Sequence, residues 1–254
     1  MEFGCSVSLF GNYLLIGAKG FNTNKGAVYL YKVEDSTWNK KVSLIASDPG
    51  YSDYFGSSVC LNSEYAFVAA VGDDIGGSSG SVYVFKNNGS EWTQQQKINV
   101  YSSSVSIYGD YLFIGGSLPS SSYYGLYTNT SSQADKVFIY KNNDTEWFKD
   151  SELVSHDLAN KDNFGHTVSV YQNYALVGAP GDDDSQDASG SFYLFKRFET
   201  GWVQERKFIV EQGKQNDWFG KAVSVYESTF MMGAFCSDSD GGQGLGYSFI
   251  YSWE

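Results

Sequence analysis

Basic residues and histidine are scarce in this sequence of 254 residues. It contains 17 Lys and Arg against 29 Asp and Glu, and its net charge is −12. Nucleic acids and anionic membrane surfaces are bound through basic patches, so the composition argues against both as partners. The only two histidines, His156 and His166, form no ligand cluster for a transition metal and give little support to acid–base catalysis.

Long apolar runs, proline and paired cysteines are also missing. No apolar run approaches the roughly 18 residues of a membrane span. No signal peptide precedes the first strand motif at Phe3-Gly4, so we expect a mature domain or a fragment of a longer chain. The three cysteines, Cys5, Cys60 and Cys236, have no metal or redox spacing. They predict buried free thiols and no disulfide framework.

Glycine and aromatic residues are abundant, and they occur in short runs. The sequence has 28 Gly and is 17% aromatic. Residues 164–202 show the pattern most clearly, as FGHTVSVY, then YALVGAPGDDD, then GSFYLFK, then a Trp. Short β-branched and aromatic runs bounded by Gly, Asp, Asn and Ser predict strands joined by turns.

This pattern recurs five times. Phe-Gly opens four copies, and Tyr101-Ser102 takes its place in the third. A Trp follows the third run in four copies. A period near 50 residues is typical of propellers and solenoids. The predicted repeats span residues 3–54, 55–100, 101–163, 164–218 and 219–254.

The motifs resemble the FG-GAP repeat of integrin-α-type β-propellers, and the resemblance covers the whole chain. It implies blades of four antiparallel strands, and a role in adhesion or recognition outside the cell. Calcium-binding integrin blades carry an Asp/Asn-rich loop between the first two strands. The loops in this position, such as Gly11-Asn12 and Gln172-Asn173, are too short and too poor in carboxylates to cage calcium. That calcium site is therefore not carried over.

We predict an all-β protein, residues 1–254 forming a single β-propeller of about five four-stranded antiparallel blades without substantial helix. The last blade is incomplete because the fifth copy stops after its third run. A fragment of a six- or seven-bladed ring is the alternative. Valine at the fifth position of each first strand (Val7, Val59, Val105, Val168 and Val223) is expected in the core between blades. Each fourth-strand Trp is expected to pack on its own blade.

The strongest candidate for a metal site is the acidic loop of the fourth copy. Asp182, Asp183, Asp184 and Asp187 lie close together in a Gly-flanked loop, and Asp238 and Asp240 form a weaker version. Hard cations such as calcium prefer carboxylate oxygens. The alternative is that these side chains accept hydrogen bonds from local backbone N–H groups, as Asp commonly does in turns.

A partner-binding face is predicted on the side of the blades where the second and third strands are joined. In an up-and-down blade, this loop and the connection to the next blade share a face. The long Ser- and Tyr-rich loop of the third copy, residues 117–134, lies there too. Candidate contact residues are Asp73, Asp74, Tyr123, Tyr124, Asp182 and Asp184.

Two sequons at equivalent hairpins, Asn88 and Asn143, favour a secretory route and an extracellular or cell-surface location, and Asn129 begins a third. They are candidate glycosylation sites at Asn88, Asn129 and Asn143. With no phosphate loop or catalytic grouping defined by spacing, we predict a non-catalytic module that binds a protein partner. A structural subunit of a larger assembly is the alternative, followed by a propeller attached to an enzyme or a lectin-like, glycan-binding propeller.

Overall fold

The chain is built almost entirely from short antiparallel strands. The computed structural model describes residues 2–73, 80–116, 135–157, 159, 161–184, 188–210, 215–234 and 246–252. Within them the one helix is the four-residue α1 (Phe21–Asn24). Among the described residues, no helix has the length and apolar character that crossing a membrane requires.

The strands form five sheets, each containing consecutive strands of the chain. The first two are β1 (Phe3–Phe10), β2 (Tyr13–Ala18), β3 (Val28–Glu34) and β4 (Thr37–Leu44), then β5 (Phe55–Leu61), β6 (Tyr65–Ala70), β7 (Ser81–Asn87) and β8 (Trp92–Asn99). The third has β9 (Ser104–Tyr108), β10 (Tyr111–Gly115), β11 (Val137–Asn142) and β12 (Trp147–Leu153). The last two are β13 (Thr167–Tyr171), β14 (Tyr174–Ala179), β15 (Ser191–Phe198) and β16 (Gly201–Ile209), then β17 (Ala222–Tyr226), β18 (Thr229–Ala234) and β19 (Tyr247–Ser252).

In every sheet the strand order follows the chain order, which is the meander of a propeller blade. Four sheets have four strands and the fifth has three, within the described residues. The predicted all-β, five-bladed propeller with an incomplete last blade is therefore confirmed. By its internal contacts the chain divides into two compact units, residues 1–107 with 143–147, and residues 108–142 with 148–254.

The Phe-Gly motif is the point where one blade is joined to the blade before it. In the first unit, the Phe55 N–H donates to the Lys25 carbonyl, and Gly26 forms a parallel bridge with Phe55. Gly190 and Phe219 form the same bridge in the second unit. A Cβ at Gly190 would lie 2.1 Å from the Phe219 carbonyl oxygen, so only glycine fits there.

The glycine near the end of the second run has the same function in the first and fourth copies. A Cβ on Gly17 would lie 2.1 Å from the Gly56 carbonyl oxygen, and one on Gly178 would lie 2.0 Å from that of Gly220. Gly17, Gly26, Gly178 and Gly190 are thus positions where the backbones of adjacent blades meet.

The core lies between neighbouring sheets. We call the sheet face that carries the Phe of the Phe-Gly motif the leading face, and the opposite one the trailing face. Each buried cluster joins one trailing face to the leading face of the next sheet: Leu15, Val28 and Leu30 with Phe55, Val59 and Leu61; Phe113, Val137 and Ile139 with Phe164, Val168 and Val170; and Leu176, Phe192 and Leu194 with Phe219, Val225 and Phe230.

Three of the four fourth-strand tryptophans, Trp92, Trp147 and Trp202, belong to these interfaces, which corrects the prediction that they pack on their own blades, and Trp38 is exposed. Trp147 is buried and its ring lies 4.9 Å from that of Phe67 in edge contact. Trp92 meets Tyr13 at 5.8 Å and Trp202 meets Phe113 at 5.2 Å. In each case the partner is on the second strand of the preceding sheet, so the indole closes the outer end of the interface.

Two further predictions fail in the first sheet. Val59, Val105 and Val168 are buried as expected and Val223 is partly buried, but Val7 is exposed. Cys60 is buried, whereas Cys5 is exposed and its thiol lies 3.3 Å from the Gly56 carbonyl oxygen. Val7 lacks the cover that a preceding sheet gives Val59 and Val168. Cys236 lies outside them.

Candidate functional site

A lysine on the outer strand of the second sheet forms ion pairs with two carboxylates from different loops. Lys97 Nζ lies 2.7 Å from Asp48 Oδ2 and 2.7 Å from Asp73 Oδ2. Asp48 belongs to the connection between β4 and β5, and Asp73 follows β6. Tyr83, opposite Lys97 in the strand register, brings its hydroxyl within 2.8 Å of both carboxylates. The group therefore ties an inter-blade connection to a loop within the blade.

The fourth sheet repeats this arrangement. Lys207 Nζ lies 2.7 Å from Asp157 Oδ2, 2.7 Å from Asp182 Oδ2 and 2.6 Å from Asp184 Oδ2. The Tyr193 hydroxyl donates to Asp182 at 2.8 Å, and it lies opposite Lys207 as Tyr83 lies opposite Lys97. We call these two groups the lysine–carboxylate clusters.

The electrostatics of both clusters favour a charged lysine. Burial alone lowers the pKa of Lys207, but its hydrogen bonds to Asp157, Asp182 and Asp184 outweigh burial and raise the pKa above its ordinary value. Burial and the bonds to Asp48 and Asp73 oppose each other in the same way at Lys97, whose pKa is also raised. Because one ammonium faces two or three carboxylates, each cluster keeps a net negative charge.

In the described part of the chain, the first and third sheets do not form the cluster, because the outer strand has no lysine at the position of Lys97 and Lys207. Ser43 stands opposite Tyr29, where the second and fourth sheets have lysine. In the third sheet, the outer strand has Glu152 at this position. Here one carboxylate pairs with two lysines, Lys136 at 2.7 Å and Lys149 at 2.9 Å, instead of one lysine with two or three carboxylates.

The side chain of Asp182 accepts hydrogen bonds from nearby protein groups, as an Asp in a turn does. Its side chain is buried and accepts hydrogen bonds from the Ser191 hydroxyl, the Asp184 N–H, Tyr193 and Lys207. Asp183 and Asp184 are exposed, and Asp73 is fully buried. Among the described residues, no group of three or more His, Cys, Asp or Glu side chains is arranged to hold a metal. Asp74, Tyr123, Tyr124, Asn129, Asp187, Asp238 and Asp240 lie outside the described residues.

Sequence reasoning missed Lys97, Lys207 and the two tyrosines. A signal was present: in the second and fourth copies only, a Gly-Asp follows the second run and a Lys stands five residues after the Trp. Strand register brings that Lys opposite the Tyr, and this pairing depends on a bulge in β8 and β16.

A second acidic group lies at the start of β11. Asp135 is buried, and its Oδ1 has no hydrogen-bond partner in the described part of the chain. Burial, and then the charge of Asp162, raise the pKa of Asp135 to about 6. Burial also raises the pKa of Asp162 to about 6, although the Ala159 N–H donates to it at 2.8 Å. The two carboxyl groups therefore resist ionising together.

We expect Lys207→Met to lower the free energy of unfolding by about 2–3 kcal/mol, because it leaves Asp182 buried beside two other carboxylates without a cation. Lys196→Met is the matched control. Lys196 lies in the same sheet and pairs with Glu205 at 3.7 Å in a more exposed position, so the change should cost much less stability. Urea denaturation of both variants measures the difference. Equal losses would show that the cluster does not stabilise the loops.

Calcium should leave the melting temperature of the parent unchanged relative to chelator, because Lys207 already supplies the positive charge at Asp182. Scanning calorimetry of the parent and of Asp182→Asn/Asp184→Asn checks this. A calcium-dependent rise in the parent that the double change abolishes would place an ion in this loop. A rise that survives the change would place the ion elsewhere.

Asp135 should make stability depend on pH. Its pKa is raised in the folded state, so the folded protein binds the proton more tightly, and this contribution to stability is lost as pH rises from about 4 to about 6. Asp135→Asn should therefore be more stable than the parent at pH 7, by about 2 kcal/mol, and equal to it near pH 4. Urea titrations across this range measure the difference. Asp150→Asn, on the exposed outer strand β12, controls for the altered net charge, and a gain at pH 4 as large as at pH 7 would contradict the assignment.

Comparison with known proteins agrees with this architecture. The model of the FG-GAP repeat matches residues 1–31, 38–85, 147–195 and 202–251, which together make up more than half of the chain. Each match after the first begins at or near a fourth strand and continues into the next sheet. The unmatched stretch contains the first strands of the third copy, where Phe-Gly is replaced. No protein with a curated description matches the chain.

Solved structures share the fold at low sequence identity. The chain is similar to a chain from a Saccharomyces cerevisiae complex of Dbp5 bound to Nup159, Gle1, IP6 and ADP, with 10% identity and a TM-score of 0.50. The match covers 97% of this chain and 57% of the other, so the chain spans little more than half of that relative. A provisionally assigned 6-phosphogluconolactonase from Bacteroides uniformis shows 8% identity and a TM-score of 0.57, with 97% and 70% covered.

The matched repeats coincide with the Phe-Gly junctions and the antiparallel sheets described above, and the chain belongs to the FG-GAP repeat family.

Proposed function

We propose that this propeller is a non-catalytic interaction module that binds a protein partner with a basic surface through its acidic loops. The observation that supports the proposal is the pair of lysine–carboxylate clusters. Each joins a carboxylate that follows the second strand, Asp73 or Asp182, to the connection from the preceding blade, and each keeps a net negative charge.

Fixed loops lower the entropy that binding must overcome. Lys207 joins Asp157 of one loop to Asp182 and Asp184 of another, so both backbones are held before a partner arrives. Asp182 and Asp73 are buried and act as supports rather than contacts. Asp183 and Asp184 are exposed and can meet cationic side chains. A rigid surface with complementary charge binds with higher specificity and a faster association rate than a mobile one.

Charge reversal at the two ends of one strand tests this proposal. Asp183→Lys changes the acidic loop, which precedes β15, and Glu199→Lys makes the same change in charge at the exposed hairpin that follows β15. Immobilised parent and variants are incubated with native extract at increasing salt. We expect one partner to be retained by the parent and by Glu199→Lys, to be lost from Asp183→Lys, and to weaken as salt rises. Equal retention by both variants would exclude the acidic loop as the contact.

We also propose a secretory or cell-surface location. Asn88 and Asn143 stand on the exposed hairpins between third and fourth strands. In both hairpins, the Asn Oδ1 accepts hydrogen bonds from the hydroxyl two residues on, Ser90 at 3.0 Å and Thr145 at 2.7 Å. The turns are alike and accessible to a modifying enzyme. A mass decrease on treatment of native protein with a glycosidase that releases N-linked glycans would support glycosylation, and the unmodified mass would exclude it.

A second candidate function is that of a structural subunit within a larger assembly. The observation in its favour is the fifth sheet, in which the described strands end with the exposed β19. Constant co-fractionation of native protein with one large complex would favour this role. A partner that exchanges with changes in salt would favour the interaction module.

A further inference from the structure

The hairpin between β7 and β8 places three hydrogen-bond donors around one side-chain amide oxygen. The Asn88 Oδ1 accepts hydrogen bonds from the Ser90 N–H at 3.0 Å, the Ser90 hydroxyl at 3.0 Å and the Glu91 N–H at 2.8 Å. Donors in this arrangement polarise a carbonyl group and stabilise the negative charge that develops on its oxygen when a nucleophile attacks the carbon. The Asn88 Nδ2, which would be the leaving nitrogen, donates to the Glu91 Oε1 at 3.4 Å.

The backbone nitrogen of Gly89 is the nearest nucleophile along the chain. Because the Asn88 Oδ1 bonds to the N–H groups two and three residues ahead, the side chain folds forward beside the Gly89 peptide. Gly89 has no Cβ to shield its nitrogen, and no atom lies within 4 Å of the place that a Cβ would take. Residues 88–90 are all exposed, so the site is accessible to water.

The hairpin between β11 and β12 holds its asparagine in the same way but is followed by a different residue. The Asn143 Oδ1 accepts hydrogen bonds from the Thr145 N–H at 3.1 Å, the Thr145 hydroxyl at 2.7 Å and the Glu146 N–H at 2.9 Å. Asp144 stands where the first hairpin has Gly89. Its side chain crowds the backbone nitrogen, and its negative charge opposes loss of the N–H proton. The second hairpin is therefore a natural control for the first.

We propose that Asn88 is a site of spontaneous deamidation. The Gly89 nitrogen gives its proton to hydroxide and forms a bond to the Asn88 Cγ. The bond from Cγ to Nδ2 then breaks, and Nδ2 takes a proton from water and leaves as ammonia. Water hydrolyses the resulting five-membered imide at one of its two carbonyl groups, which gives aspartate or isoaspartate at position 88. No oxidant or reductant is needed.

The reaction changes the chemistry of the exposed hairpin. Both products add a negative charge, and isoaspartate also adds one methylene group to the backbone between β7 and β8. Both remove the amide nitrogen to which an N-linked glycan would be attached. Deamidation and later glycosylation therefore exclude each other at Asn88, whereas Asn143 keeps its amide.

The test uses the full chain produced in a host that adds no N-linked glycan. Folded protein is incubated in mildly alkaline and in mildly acidic buffer, below its melting temperature, and samples are then digested with trypsin in mildly acidic buffer. Cleavage after lysine separates the two hairpins into peptides 87–97 and 142–149. Mass spectrometry follows both peptides, fragment ions locate any change, and a sample digested without incubation gives the background.

The matched variant is Gly89→Asp, which gives the first hairpin the residue of the second. Asp144 has a φ of 71° in its turn and Gly89 has a φ of 93°, so aspartate can take the same kind of backbone conformation there. Circular dichroism verifies that the variant is folded.

We expect peptide 87–97 of the parent to gain about one mass unit at Asn88, faster in alkaline buffer, while peptide 142–149 stays at background. An isoaspartyl methyltransferase should methylate part of the product. Gly89→Asp should reduce the gain at Asn88 to the level of Asn143. An unchanged peptide 87–97 in alkaline buffer would overturn the proposal. So would equal gains at Asn88 and Asn143, or a gain that Gly89→Asp leaves undiminished.

Discussion

The structure depends on the close approach of the Phe-Gly backbone to the preceding blade. Two glycines of one copy, Gly17 and Gly26 or Gly178 and Gly190, leave space for the peptide that begins the next sheet. Across the junction, the Phe55 N–H donates to the Lys25 carbonyl, and the Phe219 N–H donates to the Ser189 carbonyl. A Cβ at Gly26 or Gly190 would lie 2.0 or 2.1 Å from the carbonyl oxygen of Phe55 or Phe219. The junction therefore sets the distance between sheets, and the apolar faces can bury their side chains only because this distance is short.

Burial between sheets then determines the character of each face. Residues at equal places in the repeat are buried or exposed according to whether a neighbouring sheet covers them. Val59 and Val7 are the same residue at the same repeat position, and one is core while the other faces solvent. The tryptophans are buried or exposed for the same reason. Trp147 is covered by Phe67 and Tyr65 of the preceding sheet, whereas Trp38 is exposed.

The charged loops are organised by the same junctions. A connection between blades passes beside the loop between the second and third strands, so carboxylates of both meet at one place. Their repulsion is offset where the outer strand supplies a lysine, as Lys97 and Lys207 do. At Asp135, burial and then the charge of Asp162 raise the pKa of the carboxyl group. At Asp162 burial is the largest cause of the raised pKa, and the charge of Lys207 acts in the opposite direction. Loop stability, local charge and the proposed partner surface are thus consequences of where the outer strand places one side chain.

The sequence by itself determined the repeat, the strand pattern and the five-bladed all-β fold. The spacing of glycines and the alternation of apolar residues are local properties, and they can be recognised in each copy independently. It also located the acidic loops around Asp73 and Asp182. Only the tertiary structure decided which carboxylates are buried, since Lys97 and Lys207 reach them through strand pairing and connections between blades. The same reason applies to the tryptophans and to Val7: their environment depends on a neighbouring sheet, and the repeat motif is the same whether or not that neighbour is present.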